Sequence, residues 1–181
     1  MRNIKVKEVM TPINEYLTIR EDHTLYNIFS LLGNETNNGE TLHRDLIVVD
    51  ESGDFKGKIT MIDLFRALEP KYKFLEYLSS DGTLTKKYVQ DAVKAHDLWL
   101  EPITDLCARG RGVKVSEVMH IPSQAEFVHE NDSMEIALHQ YVMGSHQPLI
   151  VKNDIKVTGI LRFVDLFTLI KTHMLACDLA S

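Results

Sequence analysis

Histidine and cysteine side chains bind transition metals and serve in catalysis, and the chain of 181 residues has eight histidines and two cysteines. A zinc site normally shows its ligands in pairs at short spacing, as in a helix with two histidines four residues apart. No two histidines have that spacing, and Cys107 and Cys177 each stand alone. Scattered core or surface histidines are therefore favoured, and a metal-dependent hydrolase is the weakest function considered. The histidines are His23, His43, His96, His120, His129, His139, His146 and His173.

Two catalytic sequence patterns are absent from the chain. Gly144-Ser145-His146 is not a nucleophile elbow, which needs a glycine two residues before and two residues after the serine. The nine glycines include no Gly-x-x-x-x-Gly-Lys loop of the kind that surrounds phosphate in nucleotide hydrolases. The sequence therefore predicts a protein that is not an enzyme and that does not hydrolyse a bound nucleotide.

An internal repeat organises the chain. The opening blocks of the two copies match at an offset of 109, and the later blocks match at an offset of 102. The extra residues of the first copy fall in the polar segment 33–39, which has the composition of a solvated loop, so both cores remain alike. The matched blocks are Lys5-Val6-Lys7-Glu8-Val9-Met10 with Lys114-Val115-Ser116-Glu117-Val118-Met119, Ile47-Val48-Val49 with Leu149-Ile150-Val151, Gly57 with Gly159, and Asp63-Leu64-Phe65 with Asp165-Leu166-Phe167.

Each repeat has the hydrophobic pattern of one small unit with the order strand, helix, strand, strand, helix. One such unit of ~60 residues has a thin core of its own, so we expect an α+β fold in which two related units pack together. In the first repeat the predicted elements are a strand at 16–20, a helix starting near Thr24, strands at 46–49 and up to Thr60, and a helix from Ile62. The first helix of each repeat has one apolar face, formed by Leu25, Ile28, Phe29 and Leu32 and by Met134, Ala137, Leu138 and Tyr141.

The segment between the repeats is predicted to be a helical connector. Its apolar residues recur at spacings of three and four, and Pro102 is expected to kink or restart the helix. The stripe fits either a helix docked on the core of the same chain or a surface for another subunit. The expected domains are therefore a first repeat at 1–70, the connector at 71–112, and a second repeat with a C-terminal helix at 113–181. The stripe consists of Val89, Ala92, Val93, His96, Trp99, Leu100, Ile103, Leu106 and Cys107.

Charge and hydropathy limit the partners. The chain has 20 basic and 26 acidic residues, so its formal net charge of −6 does not favour general binding to nucleic acid or to an anionic membrane. No apolar run approaches the roughly 20 residues of a membrane-spanning helix, and residues 1–7 lead into no apolar stretch. We therefore expect a cytoplasmic protein without nucleic-acid or membrane partners.

The repeats resemble the CBS domain family, tandem regulatory modules first named after cystathionine beta-synthase. Both copies open with Val-x-x-Val-Met, at 6–10 and 115–119, and later have an apolar strand, a glycine-led second strand and an aspartate at the start of the last helix. The resemblance implies a compact pair with pseudo-two-fold symmetry and two clefts, where many members bind adenine nucleotides. The connector has no counterpart in a minimal pair of this family.

The ligand motif of this family reads Gly, apolar, any residue, Thr or Ser, two residues of any type, and Asp. The first repeat supplies it as Gly57 to Asp63, with Lys58 at the apolar position. The resemblance implies that Asp63 accepts from ribose hydroxyls and that Thr60 and the helix start hold a phosphate. Alternatively, Thr60 and Asp63 only cap a helix, and the two roles are compatible. The residues expected at the first cleft are Thr11, Tyr16, His43, Arg44, Asp45, Thr60 and Asp63.

The second repeat departs from the motif because an arginine replaces the hydroxyl. Gly159 and Asp165 are kept, but Arg162 occupies the position of the threonine. Arg162 either clamps a phosphate through its planar guanidinium or pairs with Asp165 and fills the cleft itself. By position, the residues expected at the second cleft are His120, Ser145, His146, Arg162 and Asp165.

The resemblance favours a non-catalytic regulatory module that senses adenosine-containing ligands. AMP, ADP, ATP and S-adenosylmethionine all fit this expectation, and no cofactor is required. We also expect a homodimer, because modules of this family commonly associate through the helices of each repeat. An unidentified regulated protein is the further partner that such a module implies. The alternative function is a ligand-free, constitutive dimerisation scaffold.

Overall fold

The computed structural model describes residues 1–34, 36–37, 40–41, 45–75, 85–100, 103–144 and 147–176. In these ranges the strands are β1 (Thr11–Pro12), β2 (Thr18–Arg20), β3 (Thr36–Asn37), β4 (Glu40–Thr41), β5 (Asp45–Val49), β6 (Phe55–Thr60), β7 (Phe127–His129), β8 (Leu149–Lys152) and β9 (Val157–Leu161). The helices are α1 (Leu25–Asn34), α2 (Met61–Leu68), α3 (Lys86–His96), α4 (Ile103–Gly112), α5 (Val115–Val118), α6 (Met134–Val142) and α7 (Phe163–Ala176). Short 3-10 turns lie at Val6–Glu8, Ile13–Glu15, Pro70–Phe74 and Gln124–Glu126. The predicted α+β class and the predicted order of elements in each repeat are confirmed.

The chain divides into two compact units whose limits differ from those of the sequence repeats. The continuous unit is Ile19–His120, and the split unit joins Met1–Thr18 to Ile121–Ser181. The segment that opens each repeat therefore belongs to the unit formed by the rest of the other repeat. The predicted connector at 71–112 lies within the continuous unit.

The continuous unit is built on a sheet with the order β2-β5-β6. Strands β5 and β6 are antiparallel, and Asp45 lies opposite Thr60 in their register. Helix α1 buries its apolar residues at spacings of three and four, as the pattern predicted. Phe29 is an exception, since 42% of its surface is exposed, so the apolar face is narrower than expected. The buried residues of this unit include Leu25, Ile28, Leu32, Leu46, Val48, Ile59, Leu64 and Val115.

The split unit is built on a sheet with the order β1-β9-β8-β7. Strands β7 and β8 are parallel, and helix α6 makes the crossover that a parallel connection requires. Strand β1 comes from the start of the chain and pairs with β9, with Thr11 opposite Ile160. A buried hydrophobic cluster of this unit consists of Val6, Val128, Met134, Ala137, Tyr141, Leu149, Val151, Leu161 and Leu166.

The opening segments are held in both units by equivalent backbone hydrogen bonds. In the continuous unit, the N–H of Val115 donates to the carbonyl of His23 at 2.8 Å. In the split unit, the N–H of Val6 donates to the carbonyl of Asp132 at 3.0 Å. Each of these residues lies 109 positions from its counterpart, so the sequence repeat is also a repeat of contacts. Val6 and Val115 are both completely buried, which explains why the Val-x-x-Val-Met block of each repeat begins with an apolar residue.

The motif glycines lie where the opening segments pass closest to the sheets. A Cβ atom on Gly57 would lie 2.7 Å from the carbonyl oxygen of His120. A Cβ atom on Gly159 would lie 2.7 Å from the carbonyl oxygen of Thr11 and 2.7 Å from the sulfur of Met10. Real Cβ atoms do not approach backbone oxygens this closely, so each site requires glycine for space.

The described residues of the connector include two helices and a turn at residues 97–99 that follows the first of them. Helix α3 starts after Thr85, whose hydroxyl accepts from the N–H of Tyr88 at 3.1 Å. Helix α4 starts at residue 103, directly after the predicted break, although Pro102 itself lies outside the described residues. Trp99 and Leu100 were predicted in the helical stripe, but this is wrong because the chain leaves α3 at Asp97 with φ of 49°. In the described ranges no helix has the length and apolar character needed to cross a bilayer.

We predict that Gly57→Ala and Gly159→Ala each destabilise the protein by about 1–3 kcal/mol, because the added methyl group forces the opening segment away from the sheet. At roughly 2–4 °C per kcal/mol, thermal unfolding monitored by circular dichroism should show a clear decrease in Tm.

Gly33→Ala is the matched control, because a Cβ there meets nothing within 4 Å and alanine is the better helix former in α1. Its Tm should stay unchanged or rise. Equal losses at the three glycines would show that the effect is not caused by the close approach of the opening segments.

Candidate functional site

The first motif forms a reciprocal capping box at the start of α2. The carboxylate Oδ2 of Asp63 accepts from the N–H of Thr60 at 2.9 Å and from the Thr60 hydroxyl at 2.7 Å. The N–H of Asp63 donates back to the Thr60 hydroxyl oxygen at 3.3 Å. The capping interpretation of this pair is therefore confirmed, and the capping fixes where the Asp63 carboxylate lies.

The second carboxylate oxygen of Asp63 has a looser contact. Its Oδ1 lies 3.6 Å from the Nη1 atom of Arg66, one turn further along α2. This separation is that of an ion pair and is longer than a hydrogen bond. Sequence reasoning missed Arg66, although its i,i+3 spacing from Asp63 is a signal for such a pair.

Two other predicted residues of the continuous unit lie close to this motif. Asp45, at the start of β5, is the register partner of Thr60 on β6, which places the two side chains on neighbouring strands. The backbone of His120 exchanges two hydrogen bonds with that of Lys58, at 3.0 Å and 2.8 Å. The structure therefore brings Asp45, Thr60, Asp63 and the backbone of His120 to one end of this sheet.

Lys58 is the unusual residue of the first motif. It replaces the apolar residue of the family pattern, yet only 1% of its surface is exposed. On β6 it lies two residues before Thr60, so the two side chains share one face of the strand. A buried ammonium group is retained only where polar or charged groups compensate its lost hydration, so this position is more polar than the family pattern.

The second motif forms an internal ion pair. The guanidinium of Arg162 donates from Nε to Oδ2 of Asp165 at 2.9 Å and from Nη2 to Oδ1 at 2.6 Å. The N–H of Arg162 also donates to Oδ2 at 3.1 Å, so Asp165 still accepts from the residue before the helix, as Asp63 does. Without a threonine hydroxyl, the N–H of Asp165 donates instead to the Arg162 carbonyl at 3.1 Å. Of the two roles open for Arg162, the structure contains the pairing with Asp165.

The remaining predicted residues are divided between the units or lie outside the described residues. Thr11 is half-buried on β1, and Tyr16 is almost completely buried; both belong to the split unit, together with Arg162 and Asp165. His120 belongs to the continuous unit, together with Thr60 and Asp63. The composition of each predicted cleft stays a prediction. His43, Arg44, Ser145 and His146 lie outside the described residues.

The two motifs therefore offer different chemistry. At the first motif, a carboxylate oxygen with one long ion-pair contact lies at the start of a helix, where the leading N–H groups and the helix dipole favour an anion. At the second motif, both carboxylate oxygens accept short hydrogen bonds from one guanidinium. Any other donor to Asp165 therefore competes with this guanidinium.

Residues 6–70 match the protein family described as CBS domain. Among solved structures, the chain is similar to the CBS domain of a CBS domain containing membrane protein from Sphaerobacter thermophilus, with 24% identity and a TM-score of 0.59 over 93% of this chain and 88% of that chain. It is also similar to CBSX2, a CBS-pair protein from Arabidopsis thaliana, in complex with AMP, with 16% identity and a TM-score of 0.60 over 95% and 99% of the two chains. No curated protein sequence matches the chain.

A third similar structure is the CBS domain of a bacterial CNNM/CorC family Mg²⁺ transporter in complex with ATP, with 20% identity and a TM-score of 0.57 over 92% of this chain and 86% of that chain. At these identities the similarity shows the fold alone. The class of fold is that of CBS-domain structures. Residues 6–70 match the CBS domain family, and the fold of the chain is similar to that of CBS-pair structures, so the predicted resemblance is confirmed.

We predict that Arg162→Thr is close to neutral for stability, whereas Arg162→Ala is destabilising by about 1 kcal/mol. Threonine supplies the N-cap hydroxyl that the second motif lacks, which contributes about 1 kcal/mol. The ion pair lost in both variants is partly exposed, with 34% of the Arg162 side chain accessible, so it contributes little, about 0–1 kcal/mol.

Urea unfolding of the three proteins measures this difference as a change in the midpoint at constant slope. If both variants lose the same stability, the threonine does not form a cap at the start of α7. A loss of several kcal/mol in both would show that the ion pair matters more than its exposure indicates.

Proposed function

We propose that this protein is a non-catalytic regulatory module that binds an adenosine-containing ligand at the Thr60–Asp63 motif. The observation that carries the proposal is the capping geometry of Asp63, which holds a carboxylate in a fixed position while its Oδ1 lies 3.6 Å from Arg66, beyond hydrogen-bond distance. AMP, ADP, ATP and S-adenosylmethionine share the ribose that such a carboxylate recognises.

The chemistry of the motif suits a ribose phosphate. A carboxylate accepts well from the paired hydroxyls of a ribose, and Asp63 is already fixed by its hydrogen bonds to Thr60, so little entropy is lost on binding. The first turn of α2 offers N–H groups and a positive dipole end to a phosphate. Similar folds in complex with AMP and with ATP support this choice of ligand class.

The proposal also makes the two motifs unequal. A ligand at Asp165 competes with the short hydrogen bonds of Arg162, whereas among the described residues a ligand at Oδ1 of Asp63 competes with the long contact to Arg66. The lost ion pair is partly exposed and contributes about 0–1 kcal/mol, and this contribution opposes binding at Asp165. The first motif is therefore the proposed principal site.

We predict that a saturating adenine nucleotide raises the Tm of the wild type by about 5–11 °C. This range follows from ~2.7 kcal/mol of stabilisation at a hundred times the dissociation constant and roughly 2–4 °C per kcal/mol. Asp63→Ala should shift far less, because the loss of a hydrogen bond to a charged group costs roughly 1.5–3 kcal/mol, or about tenfold to a hundredfold in affinity.

The ligand-induced shift of each variant is measured from its own ligand-free Tm. The weaker cap of α2 in Asp63→Ala then does not affect the comparison. Asp165→Ala is the matched control and should keep most of the wild-type shift. Equal losses in the two variants would refute the inequality of the motifs. A wild type that responds to no adenosine ligand would refute nucleotide sensing and favour the scaffold.

The second candidate function, a dimerisation scaffold, is favoured by apolar side chains left exposed on two helices. On α2, Ile62 is 61% and Phe65 is 53% exposed, and on α7, Val164 is 53% and Phe167 is 56% exposed. Clustered apolar side chains on a surface commonly mark an interface. We propose that the protein is a homodimer, and this applies to the sensor and to the scaffold alike.

We predict that the wild type sediments as a dimer and that Phe167→Glu sediments as a folded monomer, because a charge in an apolar interface is not compensated. Ile155→Glu is the control: Ile155 is 91% exposed on the turn between β8 and β9, and its replacement should leave the dimer intact. A dimeric Phe167→Glu would place the interface elsewhere, and a monomeric wild type would exclude both the dimer and the scaffold.

A further inference from the structure

The turn between α3 and α4 is bound to the C-terminal end of α2. Glu69 follows α2 directly and is 3% exposed. Its Oε2 accepts from the N–H of Trp99 at 2.8 Å, and its Oε1 accepts from the N–H of Lys71 at 3.2 Å. One buried carboxylate therefore joins the end of the motif helix to the connector.

Other contacts fix the same turn. The ammonium group of Lys71 donates to the carbonyl of Asp97 at 3.0 Å, and the indole N–H of Trp99 donates to the Tyr72 hydroxyl at 2.8 Å. The Trp99 ring packs edge-on against the ring of Phe65 on α2, with centroids 6.4 Å apart. Helix α4 is attached to the same place, because Arg109 donates to the carbonyl of Leu68, the last residue of α2.

The backbone of this turn is strained. Asp97 has φ of 49° and Trp99 has φ of 59°, and both are in the left-handed region that side chains disfavour. Such residues persist only where the surrounding contacts determine them. The turn at residues 97–99 therefore keeps its conformation because Glu69, Lys71 and Tyr72 hold it.

Helix α2 has only eight residues, and it joins the ligand motif at its start to the contacts with the connector at its end. Its first turn contains Asp63 and is capped by Thr60, and its last turn ends at the contacts with the connector. A helix of two turns forms cooperatively and is marginal by itself, so weakening of one end lowers the stability of the other. The ligand motif and the contacts with the connector therefore lie at the two ends of one short helix.

We propose that the Asp97–Trp99 turn is a latch that couples the attachment of the connector to the state of the Thr60–Asp63 cap through α2. Binding of a ligand at the Thr60–Asp63 cap, or loss of this cap, changes the fraction of time that the turn is detached from the end of α2. Detachment of the turn releases α3. The response of the latch to a ligand rests on the proposed function. The coupling between the two ends of α2 does not depend on any ligand.

The first test opens the latch directly. Trp99 is the single tryptophan of the chain, so its fluorescence and the hydrogen exchange of its amide both report the turn. Glu69→Gln keeps the size of the side chain but leaves one oxygen for two N–H donors. We expect exchange at residues 98–99 to become about tenfold faster and Trp99 to become more accessible to acrylamide.

Glu126→Gln is the matched control, because Glu126 is the buried glutamate of the split unit and accepts from Ser123 at 2.9 Å. It should leave Trp99 unchanged. Lys71→Ala removes one exposed donor to the turn and should act in the same direction as Glu69→Gln, even if the latter fails to fold. Unchanged exchange at Trp99 in folded Glu69→Gln or in Lys71→Ala would overturn the latch.

The second test measures the coupling without ligand. Asp63→Ala removes the carboxylate half of the capping box of α2 and should accelerate exchange at Trp99 by about fivefold or more, within the usual range of coupling between sites. Asp165→Ala makes the same change in the second motif and should have no effect there. Equal exchange rates at Trp99 in the two variants would overturn the coupling, whatever the protein binds.

The third test uses AMP. If AMP raises the Tm, it should also slow exchange at Trp99, and the size of the slowing measures how strongly AMP prefers the closed turn. A rise in Tm with unchanged exchange would overturn the coupling and leave the proposed function intact. If no adenine nucleotide changes the Tm, the proposed function fails, and the ligand-free variants alone decide the coupling.

Discussion

The close approach of backbone to backbone at Gly57 and Gly159 is the constraint on which both units depend. At each site the segment that opens one repeat passes over the second strand of the other repeat, at a distance that no Cβ atom permits. This approach lets the opening segment pair with the sheet, bury Val6 or Val115, and close the core of that unit. The two repeats therefore exchange their opening segments, and each compact unit contains the opening segment of the other repeat.

The same glycines lead directly into the ligand motif. Two residues after Gly57 the strand reaches Ile59 in the core, and the next residue caps the motif helix. The position of Thr60 is thus determined by the strand that the opening segment covers. In the second copy an equivalent strand leads to Arg162, and the same geometry brings its guanidinium onto Asp165. Equivalent frameworks therefore present a carboxylate with a long ion-pair contact in one copy and a carboxylate with short guanidinium hydrogen bonds in the other.

The repeat pattern made much of this fold predictable, because equivalent contacts require equivalent residues. The matched blocks of the two copies anticipated the order of strands and helices, and the spacing of Thr60 and Asp63 anticipated the cap. The exchange of the opening segments was not predictable, because periodicity shows which face of an element is buried but not which unit buries it. The motif glycines were a signal for it, since glycine inside a strand often marks a close approach of another backbone.

The details that sequence reasoning missed arise from long-range contacts. The choice between a clamp and an ion pair for Arg162 depends on how its side chain folds over the helix start, which i,i+3 spacing permits but does not require. The prediction that the helical stripe includes Trp99 is wrong for a related reason. Glu69, thirty residues away, accepts from the Trp99 N–H and holds the backbone in a conformation that local propensity disfavours.

The position of the connector follows from this arrangement. Helix α4 leads into the second opening segment, which crosses Gly57, and Arg109 of α4 also donates to the end of α2. The connector is therefore bound to the continuous unit at both the strand and the helix that flank the Thr60–Asp63 motif. In the described residues of the split unit, α6 leads to β8 and α7 follows β9 without a comparable insertion. The Thr60–Asp63 motif and the inserted helices thus occur in the same unit, so a change at Asp63 has a short structural route to the connector, whereas among the described residues a change at Asp165 has none within its own unit.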